Sequence, residues 1–143
     1  MSTDFEIVTL EGSLVGGLTV PLAGREVTAR DLDLVNFTWD RYLSREKDAG
    51  RVAAYIGQND HAVAVLGYEL AALGELDTGD VVTRIPAGRY AKFVVSDKPY
   101  DLLRTAWAKV AKAEAAGTIT RSHSAEIERY TGPTSVEVYV SLD

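Results

Sequence analysis

Apolar positions recur at helical spacing across residues 31–49, where Leu32, Val35, Trp39 and then Tyr42 or Leu43 fall on one stripe. Thr28 or Asp31 can cap the start of this helix, and Gly50 stands where a left-handed glycine would end it. A second helix is legible at about 98–116: Asp97 can cap it, Pro99 suits its first turn, Leu103, Ala106, Trp107 and Val110 form its stripe, and Gly117 stops it. Each helix carries one tryptophan. Extended segments flank both. Phe5–Leu10 and Leu14–Val20 precede the first, while Val52–Gly57 and His61–Leu70 follow it around the turn-forming Gly57-Gln58-Asn59-Asp60. Asp80–Ile85 and Arg89–Val95 precede the second, while Glu126–Tyr130 and Ser135–Leu142 follow it around Thr131-Gly132-Pro133-Thr134.

The order strand, helix, strand, strand therefore occurs twice, at an offset of about 70 residues. This predicts one α+β domain over residues 1–143, built from two pseudo-symmetric repeats, about 1–72 and 79–143. Two helices cannot cover both faces of a sheet of about eight strands, so they are expected on one face of a curved antiparallel sheet, with a ligand groove on the other. Alternation separates the rows. Val136, Val138, Val140 and Leu142 form one, Glu137, Tyr139 and Ser141 the other, and Ile127 and Arg129 alternate with Glu126, Glu128 and Tyr130. Matching the polar rows puts Glu128 on the helix-free face.

Composition narrows the class. At 143 residues, 46% hydrophobic and 25% charged, the chain reads as one folded domain. A net charge of −6 would be repelled by phosphate backbones, which argues against direct nucleic-acid binding. No apolar run approaches the roughly 20 residues that span a bilayer, and Met1-Ser2-Thr3-Asp4-Phe5 does not read as a signal peptide, so no membrane role and a cytoplasmic location are expected. With no cysteine and two histidines, thiol chemistry and multi-histidine metal centres are excluded, and no cofactor is expected. His61 and His123, the latter in the polar loop Arg121-Ser122-His123-Ser124, read as solvent-exposed, and no catalytic residue is assigned. The glycines of Leu14-Val15-Gly16-Gly17 lack the helix spacing of a phosphate loop and read as a strand kink.

Ile85-Pro86-Ala87-Gly88-Arg89-Tyr90-Ala91-Lys92-Phe93 resembles the "ipaGkYavF" segment of GyrI-like, AraC-type effector-binding domains. Glu126-Ile127-Glu128-Arg129-Tyr130 is similar to that family's "fErY", Val136-Glu137-Val138-Tyr139-Val140 to its terminal "evyiP", and Leu14-Val15-Gly16-Gly17-Leu18 to its "vvGl". Ser141 replaces the terminal proline. The resemblance covers nearly the whole chain. It implies two strand-helix-strand-strand units around a groove for small, often cationic and lipophilic molecules, and it places the family's pocket glutamate at Glu128. Members act as sensor halves of transcription regulators, as stand-alone binders, as gyrase-inhibitor-like proteins and, in a minority, as hydrolases of cyclopropane-bearing natural products. No DNA-binding segment fits before Phe5 or after Leu142, so a partner regulator is one expectation.

A carboxylate among aromatic faces is a physical receptor for an organic cation, each ring adding about 0.5–2 kcal/mol. The expected ligand-binding set is Glu128 with Tyr55, Tyr68, Tyr139, Tyr130, Tyr90 and Trp39. On its residues alone Glu128 also reads as a solvated strand carboxylate paired with Arg or Lys, and Glu126 and Glu137 read as surface charges. Trp107 reads as core but could also join the rings around Glu128, while Trp39 is open between core and groove mouth; Tyr90 and Phe93 point to opposite faces. The expected function is a sensor or sequestering protein for hydrophobic, cationic small molecules. A hydrolase using Glu128 in the same groove, or a gyrase-inhibitor-like interaction module, is the alternative.

Overall fold

The computed structural model describes residues 5–22, 29–45, 51–57, 62–99 and 101–143, except the side chains of Pro21, Ala29, Leu32, Ala62 and His123. The proposed caps Thr28 and Gly50, the turn at 58–60 and His61 lie outside the described residues. In chain order the elements are β1 (Glu6–Leu10), β2 (Ser13–Leu22), α1 (Ala29–Leu43), β3 (Val52–Gly57) and β4 (Ala62–Leu70), then a short 3-10 turn at Leu73–Glu75. They continue with β5 (Val81–Ile85), β6 (Gly88–Ser96), α2 (Leu102–Ala115), β7 (Arg121–Gly132) and β8 (Ser135–Leu142). Among the described residues all the strand pairings are antiparallel, in one eight-stranded sheet ordered β1-β6-β8-β7-β3-β4-β2-β5.

Both helices lie on one face. Val35, Trp39 and Tyr42 of α1 pack on Ala53, Tyr55, Leu66 and Tyr68. Leu102, Ala106 and Val110 of α2 pack on Phe93, Val95, Val136, Val138 and Val140. The other face also buries a cluster, including Val15, Ile85, Tyr90, Ile127 and Tyr139, with no helix over it. The connections explain this. Glu11–Gly12 joins β1, at one end of the strand order, to β2 beside the other end, and Pro86–Ala87 joins β5 to β6 in the same way. Such short links force the sheet to curl until it covers its own inner face, and a cavity lined by apolar side chains is filled rather than left open.

Local chemistry sets several details. Gly17, at a φ of 151°, stands opposite Gly67 in the β2–β4 ladder; a Cβ on Gly67 would lie 2.0 Å from the Gly16 carbonyl oxygen. The glycines of this segment therefore permit a close backbone approach within a strand. Helix α2 ends in the left-handed Gly117 (φ 75°), with Gly117 N–H donating to the Glu114 carbonyl and Thr118 N–H to that of Ala113. Its start differs from expectation. The residue before Pro99 is held out of helical geometry, so the chain first makes a turn and Asp101 becomes the N-cap residue. Asp97 instead accepts hydrogen bonds from the Thr105 hydroxyl and the Lys98 amide. The segment 121–124, expected as a loop, belongs to β7, where a register shift between Arg121 and Glu126 lets the Ser141 hydroxyl accept the Ser124 and Ala125 amides. Among the described residues no helix is long and apolar enough to cross a membrane.

Candidate functional site

The register of β7 with β8 decides which face Glu128 occupies. Glu128 stands opposite Val138 on β8 and Ala53 on β3, in the row that faces the helices. Tyr139 stands opposite Ile127 and lies on the inner face with Tyr90. The sequence reading matched the two polar rows to each other, and the pairing sets them on opposite sides. Glu128 thus lies beneath the helices rather than on the helix-free face, and the expected groove around it moves with it.

The Glu128 side chain is wholly buried and held by three donors. The Tyr55 hydroxyl donates to Oε1 at 2.9 Å, the Trp107 indole N–H to Oε2 at 2.6 Å, and the Tyr130 hydroxyl to Oε1 at 3.4 Å. Tyr55 comes from β3, Trp107 from α2 and Tyr130 from β7 itself, so sheet and helix together set the geometry. The rings of Tyr55 and Trp107 meet edge to face, with centroids 6.0 Å apart. Among the described residues no cationic side chain forms an ion pair with Glu128. Burial raises its pKa from 4.5 to about 7, an effect that the three donors oppose and the neighbouring Glu126 reinforces. Burial and the Glu128 charge also push Tyr55 and Tyr130 well above the usual phenol range, so both keep their protons as donors.

Its neighbour shows the contrast. Glu126, in the same row, accepts a close hydrogen bond from the Arg121 guanidinium, whose side chain is nearly buried as well. One buried carboxylate has its counter-ion built in, and the other has only neutral donors.

Of the other expected residues, the structure brings Trp39 near and leaves three elsewhere. The Trp39 and Tyr130 rings meet edge to face at 5.3 Å. Trp39 is 3% exposed, and its indole N–H, although close enough to influence the Tyr130 hydroxyl, makes no hydrogen bond. Tyr68 uses its hydroxyl structurally, donating to Asp80 at 2.7 Å and accepting the Asp77 amide at 2.9 Å. Arg45 grips the same two aspartates, which ties this turn to the end of α1. Tyr139 donates to Glu137 and accepts from Arg129, and Tyr90 donates to the Pro86 carbonyl, both on the inner face. Glu137 there pairs with Lys92 at 3.4 Å.

Trp107, which reads as core but also as one of the rings able to surround Glu128, does both: an indole N–H on a buried stripe needs an acceptor, and here it finds that carboxylate. The contributor that escaped the sequence reading is Arg51. Arg51, immediately before β3, places its guanidinium carbon 4.2 Å over the Tyr130 ring and 5.0 Å over the Trp39 ring. These three residues line a cavity of about 300 Å³ between α1 and α2, with Leu43, Leu102 and Leu103 as apolar walls. Tyr130 links the two features: its ring borders the cavity and its hydroxyl touches Glu128. Among the described residues no group of acidic or histidine side chains is arranged to hold a metal ion.

No family model matches the chain. No curated protein matches it either. Solved structures do share its fold. An integron cassette protein from the mobile metagenome of Vibrio cholerae superposes with a TM-score of 0.74 at 18% identity, over 98% of this chain and 96% of that one. The protein SAV2435, solved bound to tetraphenylphosphonium, gives 0.75 at 11% identity over 99% and 94%. A Staphylococcus aureus protein provisionally described as a bacterial transcription regulation protein gives 0.74 at 10% identity over 99% of both chains.

Proposed function

We propose that this protein binds small hydrophobic organic cations between α1 and α2, with Glu128 as the anion that answers their charge. The observation that carries this reading is a wholly buried carboxylate with three neutral donors and no ion pair among the described residues. Burying a charge without a counter-ion is costly, and a cationic ligand supplies one. The rings of Tyr130, Trp39, Tyr55 and Trp107 supply faces and edges of the kind that attract delocalised cations. The Tyr130 ring borders the cavity and its hydroxyl touches the carboxylate, so a ligand in the cavity reaches Glu128 past that ring. The fold shared with the tetraphenylphosphonium-bound SAV2435 supports the reading, as does the resemblance to GyrI-like effector-binding domains. In that role the chain is a sensor or sequestering module. When β1–β4 are exchanged with β5–β8 the strand order reads the same from the opposite end, which supports a pseudo-twofold between β3 and β7 relating the two repeats.

The test compares calorimetric titrations of tetraphenylphosphonium and of uncharged triphenylphosphine oxide into the native protein and Glu128→Gln. The substitution keeps shape and removes charge. It is expected to weaken the cation by about 1.5–3 kcal/mol and the neutral compound little. Equal effects on both compounds, or none, contradict the assignment. A carboxyl that titrates near 7 also suits general acid–base work, and recovery of a hydrolysed rather than intact ligand would favour the hydrolase reading.

A further inference from the structure

The cation position over Tyr130 and Trp39 is already filled by the chain itself. These rings stand at 80° to each other, forming two walls of a cage, and the Arg51 guanidinium lies over both at 4.2 and 5.0 Å. The backbone fixes this placement: the Tyr130 amide donates to the Arg51 carbonyl at 3.0 Å, extending the β3–β7 ladder by one residue. No carboxylate among the described residues ion-pairs with Arg51, so its described contacts at the site are aromatic. The guanidinium therefore lines the inter-helix cavity over the Tyr130 ring, whose hydroxyl touches Glu128.

We infer that Arg51 is an internal surrogate ligand whose guanidinium must leave the Tyr130–Trp39 cage before an external cation can enter. The inference rests on the reading of Glu128 as a cation anchor and adds what selects the cation. A guanidinium is planar, delocalised and weakly hydrated, and it already takes most of what two ring faces offer a cation. An incoming ligand gains only by what it adds, namely apolar area against Leu43, Leu102 and Leu103 together with the Glu128 charge. Compact, strongly hydrated ions and simple guanidinium compounds add no apolar area. Arg51 thereby restricts the site to bulky lipophilic cations, such as aryl-substituted phosphonium or quaternary ammonium ions.

The experiment titrates tetraphenylphosphonium into the native protein, Arg51→Ala and Arg51→Met, followed by calorimetry and by the fluorescence of the two tryptophans. Methionine keeps an apolar side chain of similar reach and removes the charge. Both variants are expected to bind the probe about tenfold more tightly, the gain from ending competition for two ring faces. They are also expected to gain measurable affinity for tetramethylammonium, a small cation that the native protein excludes. Unchanged or weaker binding in both variants, with the native protein still binding, overturns the role of Arg51 and leaves the Glu128 reading standing. A gain in Arg51→Ala alone identifies the side chain as a steric cover and overturns competition between cations. Failure of the native protein and both variants to bind the probe overturns both readings together.

Discussion

At the scale of the residue, the charge that the proposed role asks of Glu128 works against stability. Its pKa lies at about 7 in the folded chain and near 4.5 when unfolded, so between these values the folded state holds a proton that the unfolded state has lost. The stability it contributes is fully present below pH 4.5, falls as pH rises, and is gone above about 7, a total of about 3 kcal/mol. Glu128→Gln has no proton to lose. Urea unfolding without ligand is expected to show the variant gaining on the native protein between pH 5 and 7.5, then keeping a constant advantage. A carboxylate that only braces the fold gives the opposite outcome, a variant less stable at every pH. Trp107 and Glu128 also mark where residue-level reading stops. The E-R-Y resemblance singled out Glu128, but its face depends on the β7–β8 register, a long-range pairing in which one residue of slip exchanges the two sides. Tyr139 and Tyr90, grouped with it by alternation, therefore lie across the sheet.

At the scale of the element, local signals were legible wherever one residue type dictates geometry. Gly117 ends α2 because a left-handed position follows the last turn. Strands β3 and β8 have the expected limits because polar turn segments bound their apolar runs. The start of α2 was misplaced because the sequence shows Asp97 as a capping residue but not the extra turn before Asp101. The close backbone approach of β2 and β4 was visible only as glycines. Gly67→Ala there sets a Cβ 2.0 Å from the Gly16 carbonyl oxygen and 2.9 Å from the Gly17 Cα, both backbone atoms that cannot swing aside. The expected loss in urea unfolding exceeds about 3 kcal/mol. Gly74→Ala, with nothing within 4 Å of its Cβ, serves as the control and is expected to change stability by less than about 0.5 kcal/mol. Similar losses for the two variants contradict the close approach as the reason for Gly67.

At the scale of the whole molecule, the curled sheet decides where a ligand can go. Its inner face is filled largely by packed residues such as Ile85, Tyr90 and Tyr139, with a cavity of about 130 Å³ beside Ile85 and Ile127, and a roomier one of about 300 Å³ lies on the outer, helix-bearing side, between α1 and α2. That seam joins α1, α2 and the central strands β3 and β7, and Glu128 lies at its base with its carboxyl shared between sheet and helix. A cation entering there meets a group that is protonated or ionised according to pH, so binding and proton release are linked. The direct measurement is calorimetric titration of tetraphenylphosphonium in buffers of different ionisation enthalpy, which counts protons released per cation bound. The expected release is roughly nine-tenths of a proton at pH 6, about half at pH 7 and about one-tenth at pH 8, and none at any of these in Glu128→Gln. Binding at pH 6 without proton release, or with the same release in Glu128→Gln, would contradict Glu128 as the anion that receives the ligand.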